Sequence, residues 1–307
     1  MRIIVTGAGG FVGRKLVSML SDHDVVALDW VSSGIPDLSH ITPIVGDLCD
    51  RATLEAAFSK GCDAVVHLAT VAGGAAEQNP DLGKHVNIDA VMLLTEIAMR
   101  FGSRPRFVFA SSIAVFGDPM PVYVNDETSL APKMLYGAHK AMMEQWLAML
   151  ARRGDLDTVS LRLSGVIARP KGPSGMKSAF LSNVFHALRN GERFEMPVSE
   201  DASSWLTSND IAARNFAHAL TVDSTALPNS FAITLPALRV RVDELVAEIA
   251  YQSEQSAALV NYSADAKIEA MFGEQPPLTH ETADGLGFAR DADLESLVRN
   301  ALLTVQN

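Results

Sequence analysis

Residues Thr6–Gly13 read T-G-A-G-G-F-V-G, and they constrain the fold more than any other stretch of the 307. Arg2–Thr6 before them is a short apolar run suited to a buried strand. Phe11–Leu20 after them repeats its apolar residues at helical spacing. Gly7, Gly10 and Gly13 then make a tight strand-to-helix turn in a G-x-x-G-x-x-G pattern; the alternative G-x-G-x-x-G would need glycine where Val12 stands. A side chain in such a turn blocks the chain reversal, the approach of a pyrophosphate, or the packing of helix on strand. Amides at the helix start, over Gly10, Phe11, Val12 and Gly13, would face the phosphates with the helix dipole behind them. Asp29 closes the next apolar run, Val25–Leu28, about 20 residues on, where a carboxylate binds the adenosine ribose. The constellation is that of a dinucleotide site.

Short apolar runs alternate with helical patterns through the first half. Strands are expected at Val25–Asp29, Pro43–Val45, Ala64–Leu68, Arg106–Ala110 and Thr158–Leu163, and helices at Ala52–Ser59, Leu82–Phe101 and Met134–Arg153. That order predicts an α/β fold, a doubly wound parallel (Rossmann) sheet with right-handed crossovers. Ligands should collect where the strands end, at Gly46–Leu48, Leu68–Thr70, Ser111–Ser112 and Ser164–Val166. Beyond Arg169 the alternation loosens. Helices are expected at Lys177–Arg189, Ser208–Leu220, Val242–Tyr251, Asp265–Met271 and Asp291–Leu303, with a strand at Phe231–Thr234. The expected division is a nucleotide-binding part, residues 1–163 and 208–236, and a smaller discontinuous substrate part, 164–207 and 237–307.

Charge and composition exclude several classes. A net charge of −11 without a Lys/Arg-rich run argues against nucleic acid. No apolar stretch reaches membrane-span length, and Met1 leads straight into a strand, so a cytoplasmic protein without a signal peptide is expected. Cys49 and Cys62 form no disulfide framework or zinc pattern, His85, His139 and His186 are scattered, and no metal is expected. His67, on an apolar strand, reads as a buried, hydrogen-bonded residue. Glu77 and Asp81 read as residues that cap or solvate the Leu82 helix, and Arg162 as an ion-pair partner.

The chemistry is expected from Tyr136 and Lys140, one helical turn apart on one face. A tyrosine acting as base near neutrality must lose about three units from its pKa of ~10, or roughly 4 kcal/mol. An ammonium ~4 Å away supplies about that much at an effective dielectric near 20. Ser112, ending the preceding strand, would hold the reacting hydroxyl in line.

These segments, with His67–Thr70, F-A-S-S-I-A-V-F-G at Phe109–Gly117 and L-R-L-S-G-V-I-A-R-P at Leu161–Pro170, resemble the extended short-chain dehydrogenase/reductases of the NAD-dependent epimerase/dehydratase family. The resemblance implies Ser112, five residues before the glycine of the F-G pair, as catalytic serine, Tyr136 as base and Lys140 on the nicotinamide ribose. It also implies NAD as cofactor, Asp47 and Leu48 at the adenine, and Leu68, Ala69, Thr70 and Ala110 along the cofactor. Asn87 falls on the nicotinamide side, with Ser164 and Val166 beside the carboxamide. Likeness in H-L-A-T-V-A-G-G-A-A-E, R-P-R-F-V-F and L-G-F points to members that oxidise the hydroxyl next to the carboxylate of a short aldonic acid such as D-erythronate. Gly73, Ser112, Gly165, Ser174, Lys177 and Trp205 are then expected at the substrate, although Trp205 reads equally as core. Arg169, Lys171, Lys177, Ser174 and Ser178 are the candidates for the carboxylate, Lys177 ahead of Arg169. The resemblance further implies a homodimer through the helices of Asn87 and Tyr136. A nucleotide-sugar epimerase or dehydratase and a non-catalytic nucleotide-binding regulator are the competing readings.

Overall fold

The computed structural model describes residues 1–117, 119–172 and 178–305. The first half holds β1 (Arg2–Thr6), β2 (Asp24–Asp29), β3 (Ile41–Val45), β4 (Ala64–His67), β5 (Arg106–Ser112) and β6 (Asp157–Leu163). The second half adds β7 (Gly165–Val166), β8 (Phe194–Met196), β9 (Ser203–Thr207), β10 (Ala232–Thr234), β11 (Leu238–Arg241) and β12 (Val260–Tyr262). Among the described residues, a seven-stranded parallel sheet runs β10-β6-β5-β4-β1-β2-β3. Strand order reverses between β1 and β4, so a crevice opens beyond their carboxyl ends. Side chains alternate between two cores: Ile3, Val5 and Val66 face one, and Ile4, Val26 and Val65 the other. Burial on both faces is why these strands read as unbroken apolar runs.

The helices are α1 (Phe11–Met19), α2 (Arg51–Phe58), α3 (Gly73–Gln78), α4 (Pro80–Lys84), α5 (Ala90–Phe101) and α6 (Leu135–Arg153). Then follow α7 (Phe180–Arg189), α8 (Asn209–His218), α9 (Val242–Gln252), α10 (Ala266–Phe272), α11 (Glu281–Gly285) and α12 (Leu294–Val305). The helix expected over 82–101 is interrupted. Asn79 caps α4 by accepting from Leu82 N–H (3.1 Å), Pro80 sits in its first turn, and a π-type turn, His85–Asp89, separates it from α5. A 3.6-residue period cannot register that extra residue. Glu77 is also corrected: it accepts from Leu135 N–H (2.7 Å) and so caps α6, not the Leu82 helix.

A further core joins α7, α9 and α12 to the three-stranded sheet β11-β9-β7 through Ile167, Phe185, Leu206, Val246 and Leu297. Ala283 and Phe288, placed by sequence in the substrate part, pack instead with the first core. Asn215 on α8 holds that segment, exchanging hydrogen bonds with Ala289 N–H (2.8 Å) and Ala289 C=O (2.9 Å). No helix among the described residues is long and apolar enough to cross a membrane.

Candidate active site

Only glycine fits the turn after β1. Gly7 has φ +71°, and a Cβ on it would stand 2.7 Å from Ala69 N; a Cβ on Gly13 would stand 2.1 Å from Gly7 O. Ala69 therefore backs the turn. Gly9 N–H donates to Asp29 Oδ2 (2.9 Å), so the carboxylate ending β2 is fixed at the turn's edge.

Ser112 ends β5 and its Oγ accepts from Ala114 N–H (3.1 Å), capping a short 3₁₀ turn. Helix α6 presses directly on that turn, because a Cβ on Gly137 would reach 2.0 Å from Ala114 O. The contact brings Tyr136 to Ser112. The hydroxyls of Ser112 and Thr70 are hydrogen-bond partners of the phenol, and the Arg169 guanidinium lies near enough to favour the phenolate; burial outweighs all three and raises the Tyr136 pKa. Lys140 follows one turn later on α6. Its Nζ sits over the Phe109 ring (4.6 Å to the centroid) and the Tyr136 ring (5.5 Å), and burial brings its pKa down to about 7 against the pull of Glu144.

Glu144, one further turn along the same face of α6, is buried beneath the site. It accepts from Ser111 Oγ (2.5 Å) and from Arg162 Nη2 (2.9 Å) and Nε (3.0 Å). Thus the two serines of β5 divide: Ser111 bonds to Glu144, and Ser112 to the phenol. Sequence reading took Arg162 as an ion-pair partner but passed over Glu144, although its spacing of eight from Tyr136 was visible.

The loop after β4 is pinned by Asn87 on the π-type turn. Asn87 Oδ1 accepts from Thr70 Oγ1 (2.9 Å) and Val71 N–H (2.8 Å), and its Nδ2 donates to Val71 O (3.0 Å). His67 at the end of β4 is buried, its Nδ1 2.7 Å from Thr6 Oγ1 and its ring stacked on Phe109. Burial, with Lys140 nearby, lowers its pKa to about 3. Unfolded His67 takes up its proton near 6.5 while the folded residue does not, so stability is complete above that pH and drains away between 6.5 and 3. The expected loss is about 2 kcal/mol from pH 7 to 5. Denaturant titrations at those pH values should show it in native protein and not in His67→Gln; equal acid sensitivity in both would contradict it.

A cleft of about 490 Å³ opens over the carboxyl ends of the strands. Its lining includes Gly7, Gly10, Phe11, Val12 and Gly13 on one side, and Leu68, Thr70, Gly73 and Ala110 on another. Ser112, Tyr136 and Lys140 share it with Ser164, Gly165 and Val166. Arg169 and Ser178 reach it too, whereas Lys171 pairs outside with Glu192 (3.5 Å). Ser174 and Lys177 lie outside the described residues. Asp47 accepts from Cys49 N–H (2.8 Å), and Leu48 packs on the core under α2 and α5. Trp205 is corrected: it is fully buried among Val115, Phe116 and Val124, donating Nε1–H to Pro276 O (2.8 Å).

Three features were not anticipated from sequence. Arg14 lines a recess of about 250 Å³ with Gly9, Gly10 and Arg169. Glu274 and Gln275 line the main cleft, carried there by the chain leaving α10, and no local motif marks them. The fold also gathers Asp47, Cys49 and His85 with ligand atoms within 4.8 Å. There, however, burial and Asp47 push the Cys49 thiol up to about 11, and its proton goes to His85 O (3.4 Å).

A family model described as NAD dependent epimerase/dehydratase matches residues 3–233. The chain belongs to that family. Within the epimerase/dehydratase family it is 31% identical to a D-erythronate dehydrogenase of Cupriavidus necator over 97% of each chain. It is 29% identical to a D-erythronate dehydrogenase of Haemophilus influenzae, over 97% of this chain and 98% of that one. Among solved structures it is similar to a nucleoside-diphosphate-sugar epimerase from Agrobacterium tumefaciens (TM-score 0.88, 28% identity, 97% of this chain and 92% of that one). The fold is likewise that of a holo L-threonine dehydrogenase from Cupriavidus necator (TM-score 0.88, 22% identity, 99% of this chain and 100% of that one). The cofactor is NAD, and the residues fit it: the glycine turn leaves a cradle that any Cβ would fill, and Asp29 stands at its edge. Ser164 Oγ, buried where the chain leaves β6 and lines the cleft, has no hydrogen-bond partner among the described residues.

Proposed function

We propose that this chain, an NAD-dependent dehydrogenase acting on CH–OH, oxidises the hydroxyl next to the carboxylate of a short aldonic acid of the D-erythronate class. The observation carrying the reading is Arg169, the cation that acts on the Tyr136 phenol inside the cleft. A carboxylate held there would set its neighbouring hydroxyl against the base. The near full-length likeness to two D-erythronate dehydrogenases supports the substrate class.

In this reading Gly7, Gly10, Gly13 and Asp29 hold the dinucleotide, with Asp47 and Leu48 at the adenine, Lys140 at the nicotinamide ribose and Ser164 at the carboxamide. NAD, when bound, supplies the hydride acceptor. Ser112 Oγ orients the substrate hydroxyl, and Tyr136 Oη takes its proton. Arg169 anchors the carboxylate and favours the phenolate, offsetting burial. Locally placed cation is required, because a net charge of −11 does not draw an anion to the protein as a whole.

Arg169→Met tests both duties. Loss of a charge-assisted contact worth ~1.5–3 kcal/mol should raise KM for the acid by roughly ten- to a hundredfold. Loss of the cation beside the phenol should move the acidic limb of the kcat profile to higher pH. An unchanged KM and an unmoved limb would sink the assignment.

The same proposal includes a homodimer through α5 and α6. Of the α6 stripe, Trp146 donates Nε1–H to Thr95 Oγ1 (3.1 Å) and packs with Met149 against the core of its own chain. Met142 (53% exposed) and Met92 on α5 (40%) remain open to a twin. Sedimentation as a monomer at micromolar concentration would exclude it. Taken as a rival reading, the epimerase function is favoured by the Agrobacterium neighbour, and conversion of a sugar nucleotide would revive it.

A further inference from the structure

Opposite in origin from Arg169, one part of the cleft is built by the chain leaving α10. Glu274 and Gln275 line it together with Ser204 of β9. The backbone of Gln275 is locked: its N–H donates to Ser203 O (3.2 Å), and its C=O accepts from Ser203 Oγ (3.2 Å) and Arg239 Nε (2.6 Å). The next residue is locked as well, since Pro276 O accepts from the buried Trp205 indole (2.8 Å). Yet the side-chain amide that this scaffold fixes in place is unsatisfied. Gln275 is 9% exposed, and its Oε1 is sealed from water without a hydrogen-bond partner among the described residues.

A buried amide oxygen without a partner is costly, and in native folds it calls for a specific explanation. Here the explanation is available in the cleft itself. Terminal amide torsions are broad and roughly two-fold, so a half-turn exchanges Oε1 and Nε2 with the backbone unmoved. Whichever group that half-turn leaves toward the cleft can meet a hydroxyl, which both donates and accepts. The neighbouring Glu274 charge disfavours a carboxylate on this wall.

We infer that Gln275 is a specificity-determining residue that binds the distal hydroxyls of the substrate, selecting polyhydroxy acids over simple 2-hydroxy acids. The inference rests on the aldonic-acid reading and refines it. The acid's carboxylate lies at Arg169, its reacting hydroxyl at Tyr136 and Ser112, and its remaining hydroxyls at the Gln275 wall.

The test compares NADH formation from D-erythronate, its 4-deoxy analogue and 2-hydroxybutyrate. With native enzyme, removal of the distal hydroxyls should lower kcat/KM by about tenfold or more, because a site built for a hydroxyl rejects its absence. Gln275→Met, which keeps length and removes the amide, should raise KM for D-erythronate about tenfold. It should leave 2-hydroxybutyrate within twofold, with kcat unchanged. Equal losses on both acids would make Gln275 merely structural and overturn the proposal. So would native enzyme that treats the three acids alike, a result that does not depend on the variant folding. No NADH from any of the acids would instead overturn the aldonic-acid reading, and this inference with it.

Discussion

Tyr136→Phe should lower kcat by at least about a thousandfold while the affinity for NAD changes less than about threefold. In the proposed reaction the phenol is the proton acceptor, and its ring and helix position are kept by the substitution. Nothing else at that point can take over. The Ser112 hydroxyl is far too weak an acid or base, and Lys140 Nζ lies over the Phe109 and Tyr136 rings. Stopped-flow turnover and NAD fluorescence titration separate the two effects. Retention of more than a few per cent of activity would require another base.

The second large effect is expected from Glu144→Ala. The carboxylate is 1% exposed and neutralises Arg162, itself buried, so truncation leaves an uncompensated charge in the core. Breaking such a pair costs about 3–5 kcal/mol, which in a chain of this size lowers Tm by roughly 5–8 °C. Glu144 also holds Ser111, the neighbour of Ser112, and helps keep Lys140 protonated against burial. Activity should therefore fall together with stability. Glu144→Gln, which keeps the hydrogen-bonding shape and loses the charge, should recover part of both. An unchanged Tm in Glu144→Ala would contradict the account of how α6 is held on β5 and β6.

The sheet was legible because its strands are buried on both faces and punctuated by the glycine turn, which leaves unbroken apolar runs in order. Ser112, Tyr136 and Lys140 were legible because local spacing and strand-end position bring them together: the distance from Tyr136 to Lys140 is one helical turn. What sequence could not give depends on contacts between distant segments. Asn79 and Pro80 carried a helix-start signal that was passed over, but the π-type turn at Asn87 exists to serve Val71, sixteen residues away. Trp205 could not be divided between pocket and core until Pro276 O was seen to take its indole proton. A formula with one ammonium and a uniform dielectric omitted the burial of the phenol, which raises its pKa, and the arginine that opposes it. Arg169 was recognised as a basic residue near the site, yet its pull on the phenol arises from the turn after β7. Gln275 and Glu274 carry no motif at all.

The central claim is that the cleft holds a carboxylate at Arg169 beside a hydroxyl at Tyr136. The most direct measurement follows NADH absorbance with D-erythronate, the neutral polyol erythritol and UDP-glucose, each with NAD. The account predicts steady NADH formation from D-erythronate and at least about tenfold lower kcat/KM for erythritol, which lacks the charge-assisted contact. Turnover of erythritol as efficient as that of the acid would contradict it.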